Sequence, residues 1–232
     1  WAARVHRGRI AALAGTDPVA AAGGQAKAMG LRFVPSYRMN DAHFVVDPDR
    51  YPLTGRFWLE HREWRIGRSP VAGWDYSNLF DFSHAGVRAF RLAVIREALE
   101  RYAPVMDGFE LDFNRFQIFF PPGQAGRQAP LLTAMVAQVR GWLDELGARR
   151  GRTYALFVRV PPSLRNCRWS GLDVPAWIER RLVDVVIPAP FLTLAHDLPV
   201  AEFVALARPA GCKVYPAVYD WTNWRALPAA PS

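Results

Sequence analysis

Asp107-Gly108-Phe109-Glu110-Leu111-Asp112-Phe113-Asn114-Arg115 is the stretch that decides how this chain folds. Side chains along a strand alternate between two faces. Phe109, Leu111 and Phe113 therefore share one face, suited to packing under helices, and Glu110 and Asp112 share the other. Two carboxylates on a central strand are costly unless they are paired or used. In a parallel α/β fold the C-terminal ends of strands carry the reactive groups, which makes Asp112 the first candidate and Glu110 a deeper companion. A buried salt-bridge network is the competing reading of the same two acids.

Working outward, helix-like and strand-like segments alternate, the pattern of an α/β fold with a parallel sheet. Upstream, Thr16-Asp17-Pro18 opens a helix that stops at Gly30, and Phe33 to Met39 reads as a strand. From Ala85 the apolar residues Val87, Phe90, Val94, Ala98 and Tyr102 recur at helical spacing. Downstream come an amphipathic helix over about Gln128 to Leu146, a strand from Tyr154 to Val160 and a short helix from Val174 to Arg181. A strand from Val183 to Ile187, a helix from Val200 to Ala207 and a strand from Lys213 to Tyr219 follow. Between the first strand and Ser83 lies an aromatic, Pro- and Gly-rich excursion over about 40–83, too long for an ordinary connection.

Five strands separated by helices suit a (β/α)8 TIM barrel or an open doubly wound sheet. No G-x-G-x-x-G follows a strand and no G-x-x-x-x-G-K-[ST] occurs, so a nucleotide cofactor is not expected. A barrel usually takes about 250 residues. The 232 residues here, starting on a helix, are therefore expected to be one barrel domain, 1–232, incomplete or trimmed in this chain. Trp1 rather than Met opens the sequence, which leaves room for an export signal removed upstream.

The net charge is +8, but only two lysines occur, Lys27 and Lys213, and the arginines are spread along the chain. That distribution reads as a solvated basic surface and not as a nucleic-acid footprint. No apolar run of about 18 residues exists, so no membrane span is expected. Cys167 and Cys212 are the only cysteines. With no C-x-x-C and no clustered His, they read as two thiols, with one disulfide as the alternative, and no metal site is expected.

The neighbouring strand ends supply the rest of a candidate site. Ser36, Arg38 and Asn40 share one face of the first strand, and Arg159 ends the third, so Arg38 and Arg159 are candidates to neutralise Glu110. Asp41 and Asp220, each at another strand end, are the candidate second carboxylates beside Asp112. Asn40, His43, Asn114 and Arg115 lie at the same level as possible substrate contacts. Trp58, Trp64, Trp74, Tyr76, Phe80 and Phe82 crowd the excursion, and Trp221 and Trp224 follow the last strand. Such rings stack on the apolar faces of sugars, with Trp74, Tyr76 and Trp221 as the candidates, or else pack the loop onto the sheet.

Arg38-Met39-Asn40-Asp41-Ala42-His43, Asp75-Tyr76-Ser77, the Asp107 to Arg115 strand, Arg159-Val160-Pro161-Pro162, Gly171-Leu172-Asp173-Val174 and Leu182-Val183-Asp184 resemble a bacterial group of glycosyl-hydrolase-like, family-10-like barrels. D-G-F-x-L-D also resembles the nucleophile strand of α-amylase-type and α-galactosidase-type enzymes, which implies Asp112 as the attacking carboxylate. The amylase pattern has Arg where Glu110 stands. The same stretch is similar to the D-G-x-D-x-D-x-E strand of family 18 chitinases, but Asn114 replaces the proton-donating Glu, which speaks against substrate-assisted cleavage. The resemblance implies a glycoside hydrolase acting on a poly- or oligosaccharide. Two alternatives stand beside it: a carbohydrate-binding barrel without turnover, and a metal-assisted hydrolase or lyase using Asp112, His43 and Asp41.

Overall fold

The computed structural model describes residues 15, 17–42, 55–68, 76–191 and 198–218. Within them the chain is an α/β fold around one parallel sheet. The strands are β1 (Ser36–Arg38), β2 (Gly108–Asp112), β3 (Ala155–Val160), β4 (Val185–Pro188) and β5 (Lys213–Val214), hydrogen-bonded in the order β1-β2-β3-β4-β5. All four pairings are parallel. The order follows the sequence and never reverses, so the described residues contain no switch point of a doubly wound sheet. These residues do not form the (β/α)8 barrel expected, incomplete or trimmed, in this chain. Among the described residues the sheet is open, with β1 and β5 at its edges, because five strands fall short of the eight whose tilt and stagger close a barrel of this type.

The helices are α1 (Pro18–Ala28), α2 (Arg56–Glu60), α3 (Ala85–Tyr102), α4 (Ala125–Arg150), α5 (Leu164–Trp169), α6 (Val174–Glu179) and α7 (Val200–Ala210). Asp17 caps α1, its Oδ1 accepting from the amides of Val19 at 3.0 Å and Ala20 at 3.1 Å. Among the described residues no helix is long and apolar enough to cross a membrane. α4 is three residues longer at its start than its apolar period indicates, and it carries Pro130 in its second turn. Its inward stripe of Leu132, Met135, Val136, Val139, Leu143 and Leu146 is buried, each such side chain contributing about 1.5–3 kcal/mol relative to exposure.

That stripe meets Phe109 and Leu111 of β2, Leu156, Val158 and Val160 of β3, Ile95 and Leu99 of α3, Trp177 of α6 and Phe203 of α7 in one apolar core. The other face of the sheet is more open. Ala155, Phe157 and Arg159 are half-buried there, and Ser36, Arg38 and Lys213 are exposed. β2 enters the sheet through Gly108, where a Cβ would sit 2.5 Å from the carbonyl oxygen of Ala155. Only a glycine lets the two strands approach so closely.

Two acids, Asp107 and Asp184, pin the strand entrances. Asp107 accepts the Phe33 amide at 2.9 Å and Arg152 at 2.7 Å. Asp184 accepts the Leu156 amide at 2.7 Å and Arg140 at 2.9 Å. In the excursion, α2 and the turn Arg62–Trp64 lead to an antiparallel bridge between Arg65 and Phe80. Phe57 stacks on Phe90 at 3.8 Å, and Trp58 is buried with its indole N–H donating to Asn78 O at 2.9 Å. Trp58, Phe80 and Phe82 therefore pack the excursion onto the sheet. Both cysteines are free thiols.

Candidate active site

Glu110 and Asp112 share one face of β2, as the alternation requires, and the two acids meet different surroundings. Glu110 is buried. Its Oε1 accepts Ser36 Oγ at 2.7 Å and Arg159 Nε at 3.1 Å, and its Oε2 accepts Arg159 Nη2 at 3.3 Å. A two-pronged guanidinium and a hydroxyl satisfy most of its lone pairs and tie it to β1 and β3.

Asp112 ends the strand half-buried. Its Oδ1 accepts the amides of Asn114 at 2.8 Å and Arg115 at 3.2 Å, which bends the chain away from the sheet. Among the described residues, Oδ2 takes no hydrogen bond. Burial pushes the Asp112 carboxyl above the ordinary aspartate value, against the lowering effects of the Asn114 amide and of Arg159 nearby. A carboxyl that holds its proton more tightly and keeps one oxygen open is suited to giving a proton to a leaving group.

The other candidates divide between the rim of the site and the scaffold. Arg38 stands opposite Asp112 in the β1–β2 register but turns to Asp41, at 3.1 Å, in an exposed ion pair. Asp41 is thus at the mouth of β1 with a cation beside it. Asn40 is buried, its Nδ2 donating to Phe80 O and Ile118 O at 2.9 Å each and its Oδ1 accepting the Phe80 amide at 3.3 Å. Those bonds staple the excursion to the loop after β2. Asn114 is buried too. It donates to Ala189 O at 3.0 Å and accepts Gln117 Nε2 at 2.7 Å, tying the exit of β2 to the exit of β4. The Arg115 guanidinium lies 5.3 Å from the Phe191 ring centre, and Tyr76 meets Phe116 edge-on at 5.8 Å.

His43, Trp74, Asp220 and Trp221 lie outside the described residues. Among those described, no three His, Cys, Asp or Glu side chains come together in a way that would hold a metal ion.

Two depressions lie at the C-terminal end of the sheet, beside Asp112 and not lined by it. One of about 280 Å³ is lined by Tyr76, Gln117, Ile118, Pro162, Asn166, Trp169 and Phe191. The other, about 340 Å³, continues from Gln117 and Trp169 along the loop after β2 to the start of α4. A larger cavity of about 560 Å³ sits at the opposite end, where Thr153 and Lys213 begin or precede strands. Its Arg140 and Arg152 are committed to Asp184 and Asp107. Ligand sites of open parallel sheets lie at the carboxyl ends of the strands, so the chemistry and not the volume identifies the site here.

The sequence reading missed Gln117, Trp169 and α5 itself. Pro161-Pro162 reads as a stop, yet Ser163 behind it caps a new helix through the Asn166 amide at 3.2 Å. The cap-forming Ser163 itself was the available signal, since any residue at 166 supplies the backbone amide.

No protein-family model matches the chain, and no curated protein does. Solved structures with local likeness include a glycoside hydrolase family 18 N-acetylglucosaminidase from Paenibacillus barengoltzii, 21% identical over 58% of this chain and 45% of its own, with a TM-score of 0.39. Dispersin B is 12% identical over 83% of this chain and 46% of its own, with a TM-score of 0.43. The GH36 α-galactosidase AgaA from Geobacillus stearothermophilus is 12% identical over 86% of this chain and 30% of its own, at 0.39. The chain thus spans less than half the length of each. At these scores none of the three bears on how this chain folds or what it does.

Proposed function

We propose that this chain belongs to a carbohydrate-active (β/α) barrel, 1–232 forming one incomplete barrel-type domain, and that it hydrolyses glycosidic bonds in a poly- or oligosaccharide with Asp112 as the proton donor. The observation that carries this reading is the Asp112 carboxyl. One oxygen is anchored by the turn amides, the other is open, and burial raises its proton affinity. A raised carboxyl protonates the leaving glycosidic oxygen while a second carboxylate attacks the anomeric carbon or activates water. Asp41 and Asp220 are the candidates for that second group, and Arg38 pairs with Asp41 at 3.1 Å. Glu110, clamped by Arg159 and Ser36, sets the charge beneath the site. Arg115 and Tyr76 sit at its edge as substrate contacts, with His43, Trp74 and Trp221 as further ones.

The test is a cleavage screen over poly- and oligosaccharides, with the parent and Asp112→Asn side by side. Loss of a proton donor is expected to lower the rate about 100-fold or more. Equal cleavage by both would remove Asp112 from the chemistry.

A second reading, sugar binding without turnover, is favoured by the fact that Asp112 Oδ1 also holds the turn and Glu110 is saturated. It predicts a parent that binds a glycan, cleaves none, and binds equally well as Asp112→Asn.

A further inference from the structure

Trp169 is the last residue of α5 and is 52% exposed, although it stands between two depressions at the functional end of the sheet. Gln117, Ile118 and Trp169 line both depressions, so they form one groove with the indole dividing it. The combined volume falls within the ~300–1,000 Å³ typical of small-molecule sites. An apolar ring flanked by the amides Gln117 and Asn166 is the surface a pyranose recognises, with its flat face on the indole and its hydroxyls on the amides.

The larger depression has a second character. It ends at the N-terminus of α4, a helix of 26 residues whose N-cap, Gln124, makes no side-chain cap bond and whose first turn contains no acid. The amides of Ala125, Gly126 and Arg127 therefore present an uncapped positive helix end. Among the described residues that line the groove, Arg168 is the only formally charged one and none is a carboxylate. Ser170, in the same wall, is 3% exposed, and among the described residues its Oγ has no hydrogen-bond partner. A hydroxyl shut off from water without a partner costs stability. An anionic oxygen seated at the helix end would give it the acceptor it lacks.

We infer that this groove is a subsite for an acidic saccharide, a sugar ring stacked on Trp169 with its carboxylate directed at the Ala125–Gly126 end of α4, Arg168 and Ser170. The inference rests on the carbohydrate reading above and adds the substrate class to it.

The experiment is calorimetric titration of the whole chain with oligogalacturonate, oligomannuronate and oligoglucuronate, each paired with its carboxyl-reduced counterpart. At least one acidic oligosaccharide should bind, and its reduced partner about three- to tenfold more weakly. Trp169→Ala should weaken both members of the pair about tenfold or more. Arg168→Gln and Ser170→Ala should erase only the acidic preference. Arg150→Gln, at the other end of α4, is the control for a merely basic surface. The inference is overturned if nothing binds, if reduced and acidic forms bind equally, if Trp169→Ala changes nothing, or if Arg150→Gln costs as much as Arg168→Gln. Following cleavage of the same sugars by Asp112→Asn separates the two readings. Trp169-dependent acidic binding with unaltered cleavage sinks the catalytic role of Asp112 alone. Cleavage that needs Asp112 but ignores Trp169 and the carboxylate sinks this subsite alone.

Discussion

Arg159 stands directly opposite Asp112 in the β2–β3 register, yet it turns its guanidinium back to Glu110, two residues deeper, reaching both carboxylate oxygens at 3.1 and 3.3 Å. That choice separates two acids of one strand. Glu110 is held in a buried ion pair, and Asp112, which among the described residues pairs directly with no cation, has its carboxyl pushed up by burial.

Breaking the clamp should therefore be costly. Arg159→Met leaves Glu110 buried with only the Ser36 hydroxyl, and we expect a loss of about 2–4 kcal/mol, read by urea denaturation at neutral pH. A change under about 0.5 kcal/mol would mean that the pair contributes no more than an exposed one.

Asp112→Asn keeps an amide oxygen for the Asn114 and Arg115 amides, so the turn survives. The carboxyl's folded-state affinity for its proton is above the ordinary value of 3.8, so the folded chain holds more protons than the unfolded one between the two values. Native stability thus falls as pH rises through that window. The variant lacks this penalty: it should match the parent at low pH and become relatively more stable as pH rises above the window. Thermal melts of both across pH 3 to 8, roughly spanning the carboxylate range, decide it, and a variant that loses ground with rising pH contradicts the assignment. Asp112→Ala, which also loses the turn bonds, should cost about 1–2 kcal/mol.

Asn40→Ala removes three hydrogen bonds in a buried position and strands the Phe80 and Ile118 carbonyls. A loss of about 2–4 kcal/mol is expected. If a glycan substrate is found, Asn40→Ala should alter protein lifetime at raised temperature more than KM. A KM effect in a fully folded variant would return Asn40 to the list of substrate contacts.

Arg181, just after α6, is the one non-glycine described with a left-handed backbone, at φ 54°. Its amide bonds Ile178 O at 2.9 Å and the Leu182 amide bonds Trp177 O at 2.8 Å, the pattern of a helix end that glycine usually closes. Arg181→Gly should stabilise the chain by about 0.5–1 kcal/mol after the unfolded-state entropy of glycine is deducted. A lower melting temperature would show that the Arg181 side chain contributes more than its backbone strain.

Alternation along Gly108 to Phe113 was legible from the residues alone: Phe109, Leu111 and Phe113 are all buried, and Glu110 and Asp112 share the opposite face. Period two is a local property of extended backbone, so no partner strand is needed to read it. Helix α3 was legible as a helix, but its buried face was not: of the stripe Val87, Phe90, Val94, Ala98 and Tyr102 only Val87 is buried, the others are half-buried, and Ile95 and Leu99 complete the buried side. The strand limits were not. β1 and β5 hold only three and two residues in place of the longer runs expected, because a strand extends only as far as its neighbour offers hydrogen bonds.

Nothing local distinguishes Asn40 and Asn114, which staple loops, from amides that face a ligand, or assigns Arg159 to Glu110 while Arg38 goes to Asp41. The carbonyl bonds of Asn40 and Asn114 and the Arg159–Glu110 pair depend on which backbone carbonyls and which charges arrive from segments 40 to 78 residues away, whereas the Arg38–Asp41 pair, three residues apart, is local. Residue type and spacing fixed what each element is. Only the packing of those elements decided which polar groups were used up inside and which were left open at the rim, because a side chain's partners are set by three-dimensional proximity and not by its place in the chain.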